Sequence, residues 1–208
     1  MKKESTQKNG KYKLVMFSNK DIIEIRKRSF YELVFIFTLC SILGYFVETG
    51  YVFLDTGNLV KRGMLLGPYC PIYGFGASIL YLLFYNIKPT KKNIPYIFFL
   101  SALTMGGFEL LSGLGFKYIL NIEMWNYHGK FLEILNYTTV PILIGWGILG
   151  TIYVFAIQPF LSKILDKIPL TIKKRLTYII ITIYLFDFAI SVFRIMRYPD
   201  ILYKLVHP

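Results

Sequence analysis

The chain has 208 residues, of which 55% are hydrophobic and 18% aromatic, and its mean hydropathy of +0.50 is too high for an ordinary soluble domain of this length. The net charge of +12 would suit a nucleic-acid-binding protein, but most lysines and arginines lie in short segments between long apolar runs, as in membrane proteins. We therefore expect no nucleic-acid partner and predict an all-α polytopic membrane protein, with five transmembrane helices in one bundle.

Residues 1–29 form a basic segment that holds nine lysines and arginines. Ser18 and Asn19 suit the N-cap of a short helix from Lys20 to Arg28, which would lie on the anionic inner leaflet. The alternative is a disordered basic tail. No small-residue cleavage site follows the first apolar run, so we expect this run to act as an uncleaved signal.

Five apolar runs approach or exceed the roughly 20 residues that a helix needs to cross a bilayer. Pro95 and Pro141 stand near the starts of the third and fourth runs, where a proline suits the first turn of a helix. The predicted spans are about 30–54, 68–87, 94–120, 139–161 and 176–195. They form a transmembrane domain over residues 30–195, followed by a short tail over 196–208.

The basic residues between the spans predict the orientation. If the N-terminus is cytoplasmic, 17 of the 24 lysines and arginines lie on the inner side and seven on the outer side. Because cytoplasmic segments of membrane proteins are enriched in these residues, we predict a cytoplasmic N-terminus, an outside C-terminus and a multi-pass location in the cell membrane.

Three carboxylates interrupt the apolar runs, and each would cost about 2.5–3.5 kcal/mol at the middle of a membrane helix on insertion scales. In the predicted orientation Glu48, Glu109 and Asp187 all fall in the outer half of the bundle, and the inner half has no such residue. Glu48 shares a helical stripe with Gly44, and Glu109 shares one with Gly106 and Gly113; small residues let membrane helices approach closely. The carboxylates should therefore face protein rather than lipid.

These positions predict a ligand-binding site in the outer half of the bundle. Its candidate residues are Glu48, Arg62, Tyr73, Glu109, Trp125, Tyr127, Asp187 and Arg194. The residues expected to shape the helices and turns around it are Gly44, Gly63, Gly67, Pro68, Pro71, Gly74 and Gly113. Two alternatives stay open, since the charges could simply pair with one another and the loop aromatics could be interfacial anchors.

Nothing in the sequence indicates a cofactor. The chain lacks the G-x-x-x-x-G-K-[ST] motif, so any ATP that drives a process here must bind a partner subunit. The two histidines and two cysteines lack metal-ligand spacing, and we expect no metal, no cofactor and no assigned catalytic residue.

The residues around the first loop resemble a known family. The quoted segments are ETGYVFLDTGNLVKRGMLLGPYCPIYGFG at 48–76, FELLSG at 108–113, WNY at 125–127 and DFAISVFR at 187–194. They are similar to the bacterial membrane proteins labelled putative ABC transporter permease, or putative ABC-transporter type IV. The resemblance covers about residues 30–195 and implies a five-span protein with a transporter or permease-type role.

Three functions are compatible with these features. The first is a transport or permease subunit, the second a membrane-embedded enzyme acting on a lipid or polyprenyl phosphate, and the third an accessory subunit of another membrane complex. The resemblance ranks the first ahead, and whether the chain is an enzyme stays open, with the non-enzyme reading favoured. Five spans are too few to enclose a large path, so we expect an ATP-binding partner or a homo-oligomer, besides membrane lipids.

Overall fold

The fold is a bundle of long helices, with short strands in its N-terminal segment and in one loop. The computed structural model describes residues 11–15, 22–26, 30–84, 87, 89–121 and 123–197. In these residues the strands are β1 Lys11–Val15, β2 Ile22–Arg26, β3 Glu133–Ile134 and β4 Thr138–Thr139. The helices are α1 Phe30–Thr56, α2 Pro71–Phe84, α3 Ile94–Leu120, α4 Val140–Ile152, α5 Gln158–Lys167 and α6 Leu170–Arg197.

Four helical segments within the described residues are long and apolar enough to cross a membrane. They are Phe30–Leu54, Lys91–Ile119, Val140–Lys167 and Leu170–Arg197. The predicted first and third spans agree closely with α1 and α3, and the all-α polytopic membrane fold is confirmed.

The second predicted span is shorter than expected. Its helix, α2, has 14 residues, which at 1.5 Å per residue gives about 21 Å, less than the roughly 30 Å of a bilayer's hydrocarbon core. The helix starts only at Pro71, because the preceding residues are held in an irregular loop over 57–70. The last helix is longer than expected, since α6 begins at Leu170 rather than near residue 176.

The N-terminal segment contains strands where a helix was one of the two expectations. β1 and β2 pair antiparallel, with Lys11 opposite Arg26 and Val15 opposite Ile22, so the expected helix is wrong over 22–26. The β-branched residues Ile22, Ile23 and Ile25 explain the difference, because such residues favour strands. Residues 16–21 and 27–29 lie outside the described part of the chain.

Two helix hairpins make up most of the bundle, since α1 packs against α2 and α3 packs against α4, while α6 packs against α1. Glycines permit the close approaches. A Cβ atom on Gly74 would lie 2.2 Å from Ser41 Oγ, and one on Gly150 would lie 2.4 Å from Ser101 Cβ. Any larger residue at these two points would force the helices apart.

A widened turn joins α4 to α5. Residues Tyr153–Ile157 form a π-helical segment, in which the N–H of Gln158 donates to the carbonyl oxygen of Tyr153. Pro159 follows directly, and a proline inside a regular helix lacks an N–H donor and clashes with the carbonyl four residues earlier. The wide turn accommodates this proline and keeps α4 and α5 in one continuous span.

Candidate functional site

The loop between α1 and α2, residues 57–70, is fastened to α6 by one carboxylate. Asp187 accepts hydrogen bonds from the backbone N–H groups of Leu66 and Gly67 at 2.7 and 2.8 Å. It also accepts from the hydroxyl of Tyr69 and, at 2.9 Å, from that of Ser191. Asp187 is 7% exposed, and four donors satisfy its buried oxygens. Asp187 therefore fixes the α1–α2 loop to α6, and we call this set of contacts the latch.

The latched loop carries Arg62 to the end of α1. The Nε of Arg62 lies 3.7 Å from Glu48 Oε2, and the hydroxyl of Tyr73, on α2, donates to Glu48 Oε1 at 3.0 Å. The Glu48 side chain is 33% exposed and that of Arg62 is 25% exposed. Water therefore reaches this pair.

Glu109 is more deeply enclosed, with 5% exposure, and it joins three elements. Its carboxylate accepts from the Tyr127 hydroxyl at 3.3 Å, the Thr138 hydroxyl at 2.9 Å and the Trp146 indole N–H at 3.1 Å. These donors come from the loop after α3, from β4 and from α4. The three hydrogen bonds offset part of the desolvation of this buried carboxylate and fix its orientation.

The two carboxylates belong to one cluster, which we name the carboxylate cluster: Glu48, Arg62, Tyr73, Glu109 and Tyr127. The Tyr73 ring packs against Trp146 with 5.2 Å between ring centroids, which links the Glu48 side to the Glu109 side. Burial, together with the nearby charges of Glu109 and Glu48, raises the pKa of Tyr127, so its hydroxyl remains a donor at neutral pH. With both acids ionised, the cluster has a formal charge of −1.

Three of the eight predicted ligand residues lie apart from this cluster. Asp187 is engaged by the α1–α2 loop. Trp125 donates its indole N–H to the Tyr137 carbonyl at 3.0 Å and so anchors its own loop. Arg194 lines a separate cavity of about 80 Å³ with Lys61, and no ion pair of Arg194 is present among the described residues.

The glycines expected to shape the site stand at points of close approach. A Cβ on Gly44 would lie 2.2 Å from the Tyr73 ring, and one on Gly113 would lie 2.6 Å from the Tyr137 ring. Gly63 has a φ of +84°, in the left-handed region that favours glycine. In the same set, Gly67 packs on Tyr69, Gly74 packs on Ser41, Pro68 lies in the α1–α2 loop and Pro71 begins α2.

Two partners of Glu109, Thr138 and Trp146, are not among the site residues predicted from the sequence. Trp146 carried a usable signal, because it lies inside an apolar span and a buried indole N–H needs an acceptor. Glu109 is the acceptor it uses. Thr138 carried no comparable signal, since a threonine ahead of a helix is ordinarily explained by capping.

A buried ion pair lies at the opposite end of the bundle. Glu32, in the first turn of α1, accepts from Lys173 at 3.2 Å and from the Tyr81 hydroxyl at 3.4 Å. Glu32 and Lys173 are 6% and 7% exposed, so the expectation that only one half holds buried charge is wrong. Because α6 starts at Leu170, Lys173 belongs to a helix rather than to the loop in which the sequence suggested it lay.

A protein-family model matches the part of the chain that contains the site residues. A family model described as "Putative ABC-transporter type IV" matches residues 35–192, a range that contains Glu48, Arg62, Glu109 and Asp187. No curated protein and no solved structure matches the chain.

Proposed function

The chain belongs to the putative ABC-transporter type IV family, and we propose that it is a transporter or permease-type subunit whose working site is the carboxylate cluster. We further propose that it lies in the cell membrane with a cytoplasmic N-terminus and an outside C-terminus. The 17-to-7 distribution of basic residues supports this orientation. In this orientation the cluster opens toward the outside.

The observation that carries the proposal is the pairing of two acids with one base inside a membrane bundle. When both are ionised, Glu48 and Glu109 carry two negative charges, and Arg62 offsets only one of them. A proton, a cation or a cationic group of a ligand would neutralise the remainder. Ionisable residues at such positions ordinarily mark substrate or ion pathways, because their burial is otherwise costly.

The carboxylate cluster also lies at the junction of two helix hairpins, where a relative movement of the hairpins would change it. Glu48 and Tyr73 belong to the α1–α2 hairpin, whereas Glu109 and Trp146 belong to the α3–α4 hairpin. A ligand that changes the charge at their junction interacts differently with packed and separated hairpins. Such differential binding shifts a conformational equilibrium, which transport requires.

At the carboxylate cluster, the geometry favours this role over the binding of a lipid or polyprenyl phosphate by an enzyme. A phosphate would need an arginine free to neutralise it, but Arg62 lies 3.7 Å from Glu48. Adding a phosphate beside two carboxylates would increase the negative charge further. The cluster therefore suits a cationic group better than an anionic one.

Purification of the tagged chain in mild detergent tests the proposal, with protein mass spectrometry and an ATP-hydrolysis assay. We expect a stoichiometric ATP-binding partner whose hydrolysis in liposomes changes when the chain is present. Glu109→Gln should retain the partner and lose that effect. Recovery of the chain without an ATP-binding protein, or only with a non-transport complex, would contradict the proposal and favour the accessory role.

A further inference from the structure

A small cavity lies between the α1–α2 loop and the end of α6, apart from the carboxylate cluster. Its volume is about 80 Å³, several times what one water molecule needs. We name it the Lys61–Arg194 cavity and define it by Lys61, Gly63, Ser191 and Arg194. The two charged side chains that line it, Lys61 and Arg194, are both basic. The cavity therefore has the size and the charge to receive a small anionic group.

Arg194 brings a guanidinium group that no acid neutralises. It lies in the last turn of α6 and is partly buried, and it makes no ion pair within the described part of the chain. Partial burial of a charge without a counterion is costly. The planar guanidinium can make two parallel hydrogen bonds to a phosphate, so a phosphate in the cavity would stabilise this charge.

Lys61 supplies a second cation at a defined position. Its ammonium donates to the Leu66 carbonyl at 2.6 Å, which uses one of its three N–H donors. The backbone N–H groups of Leu66 and Gly67 in turn donate to Asp187 on α6. The latch therefore holds the loop of Lys61 against α6, and two donors of the ammonium remain for a ligand of the cavity.

One acid contacts a lining residue of the cavity but does not line the cavity itself. Asp187 accepts from the Ser191 hydroxyl at 2.9 Å and from three donors of the α1–α2 loop. It forms no ion pair with Lys61 or Arg194 among the described residues. Counted together, these two basic residues and Asp187 have a formal charge of +1, which one singly charged phosphate ester would balance.

The cavity lies near the end of a membrane-crossing segment. Arg194 is close to the end of the segment Leu170–Arg197, and Lys61 lies in the loop that follows α1. Basic side chains near helix ends reach the membrane interface, where the phosphates of lipids lie. On the membrane side of Arg194, Phe186 and Phe193 are 68% and 69% exposed, so the adjacent surface of α6 suits acyl chains.

We propose that the Lys61–Arg194 cavity binds the phosphate group of an anionic membrane lipid. The guanidinium of Arg194 and the ammonium of Lys61 contact the phosphate oxygens, and the acyl chains lie along α6 toward the bilayer interior. A headgroup with its own ammonium is disfavoured, because it would bring a third positive charge to the cavity. The site is separate from the carboxylate cluster, and its occupancy does not depend on the transport proposal.

Thermal unfolding in detergent tests the proposal, because a ligand that binds only the folded chain raises its unfolding temperature. The full chain is washed free of lipid in a neutral detergent. It is then titrated with dioctanoyl phosphatidylglycerol, with dioctanoyl phosphatidylethanolamine or with inorganic phosphate. We expect phosphatidylglycerol to raise the unfolding temperature at a several-fold lower concentration than either of the other two compounds.

Three substitutions identify the residues responsible. Arg194→Gln should weaken the effect of phosphatidylglycerol several-fold, since it removes the guanidinium and keeps a polar side chain. Arg197→Gln is the matched control, because Arg197 lies in the same last turn of α6 but does not line the cavity. If Arg194 acted only through its charge at the helix C-terminus, both variants would behave alike. Lys61→Gln changes an exposed loop residue, so it tests the site even where Arg194→Gln does not fold.

Distinct results would overturn the two parts of the proposal. No response to any of the three compounds, or a response that neither Arg194→Gln nor Lys61→Gln weakens, would show that the cavity is not an anion site. Equal effects of the two lipids would exclude recognition of an anionic headgroup. Stabilisation by inorganic phosphate at the same concentration as by phosphatidylglycerol would support the phosphate site and exclude a lipid as its source. None of these results alters the ATP-hydrolysis test of the transport proposal.

Discussion

The carboxylate of Asp187 accepts a 2.7 Å hydrogen bond from the backbone N–H of Leu66, and this contact fastens the last helix to the loop that carries Arg62. Gly67 and Tyr69 donate to the same carboxylate, so the loop is held at three points. The position of Arg62 beside Glu48 therefore depends on a residue that does not contact either of them.

Asp187→Asn should loosen this loop, because the asparagine side chain has one acceptor oxygen in place of two. A buried donor left without a partner costs about 1–3 kcal/mol, so we expect a clear drop in thermal stability in detergent and faster proteolysis within 57–70. Ser191→Ala, which removes one donor and leaves the three from the loop, should have a smaller effect. Equal stability of Asp187→Asn and wild type would show that the latch contributes nothing.

Arg62→Lys should abolish function and leave membrane insertion normal. Lysine retains the charge but loses the planar guanidinium that can make two-point contacts. Lys163→Ala is a suitable control, because Lys163 is at an exposed position of α5 and lies outside the cluster. The measurement is the ATP hydrolysis of the partner. Full activity of Arg62→Lys would show that only the positive charge matters at position 62.

Lys173→Met should be among the most destabilising single substitutions in the bundle. It leaves Glu32 buried without the 3.2 Å ion pair, and breaking a buried pair in this way costs roughly 3–5 kcal/mol. The double variant with Glu32→Gln should recover much of the loss, whereas Lys163→Met, at an exposed position of α5, should change little. Thermal unfolding in detergent measures all of these. A double variant no more stable than Lys173→Met alone would contradict the account of this pair.

The proposed orientation predicts which loops are reached from outside the cell. In a background without Cys40 and Cys70, a cysteine at Asn58 in the α1–α2 loop should react with an impermeant reagent in intact cells. A cysteine at Asn93, at the start of α3, should react only after lysis. The opposite pattern would move the carboxylate cluster to the cytoplasmic face.

The apolar runs predicted α1 and α3 nearly residue by residue, because hydrophobic length is a property of each segment alone. The limits of α2 and α6 were harder to predict. Loop contacts hold the residues before Pro71 outside α2, and the buried ion pair with Glu32 keeps Lys173 within α6. Periodicity correctly indicated protein-facing surroundings for Glu109, which is buried.

Which side chains meet was not predictable, because contacts between helices depend on how distant segments pack. Spacing placed Asp187 and Glu48 in the same half of the bundle, yet it could not show that one binds a loop and the other an arginine. The contact of Trp146 with Glu109 spans 37 residues, and that of Lys173 with Glu32 spans 141. No local pattern specifies pairs at such separations.

The most direct test of the carboxylate cluster compares activity and stability for Glu48→Gln. Glu48 and Arg62 are both partly exposed, and ion pairs in water-accessible positions contribute only about 0–1 kcal/mol. We therefore expect the variant to unfold at nearly the wild-type temperature and no longer to alter the ATP hydrolysis of its partner. Glu123→Gln is the matched control and should keep activity, because it also removes a partly exposed acid with a basic partner, which here is Lys117. A Glu48→Gln variant that is as active and as stable as wild type would contradict the central claim.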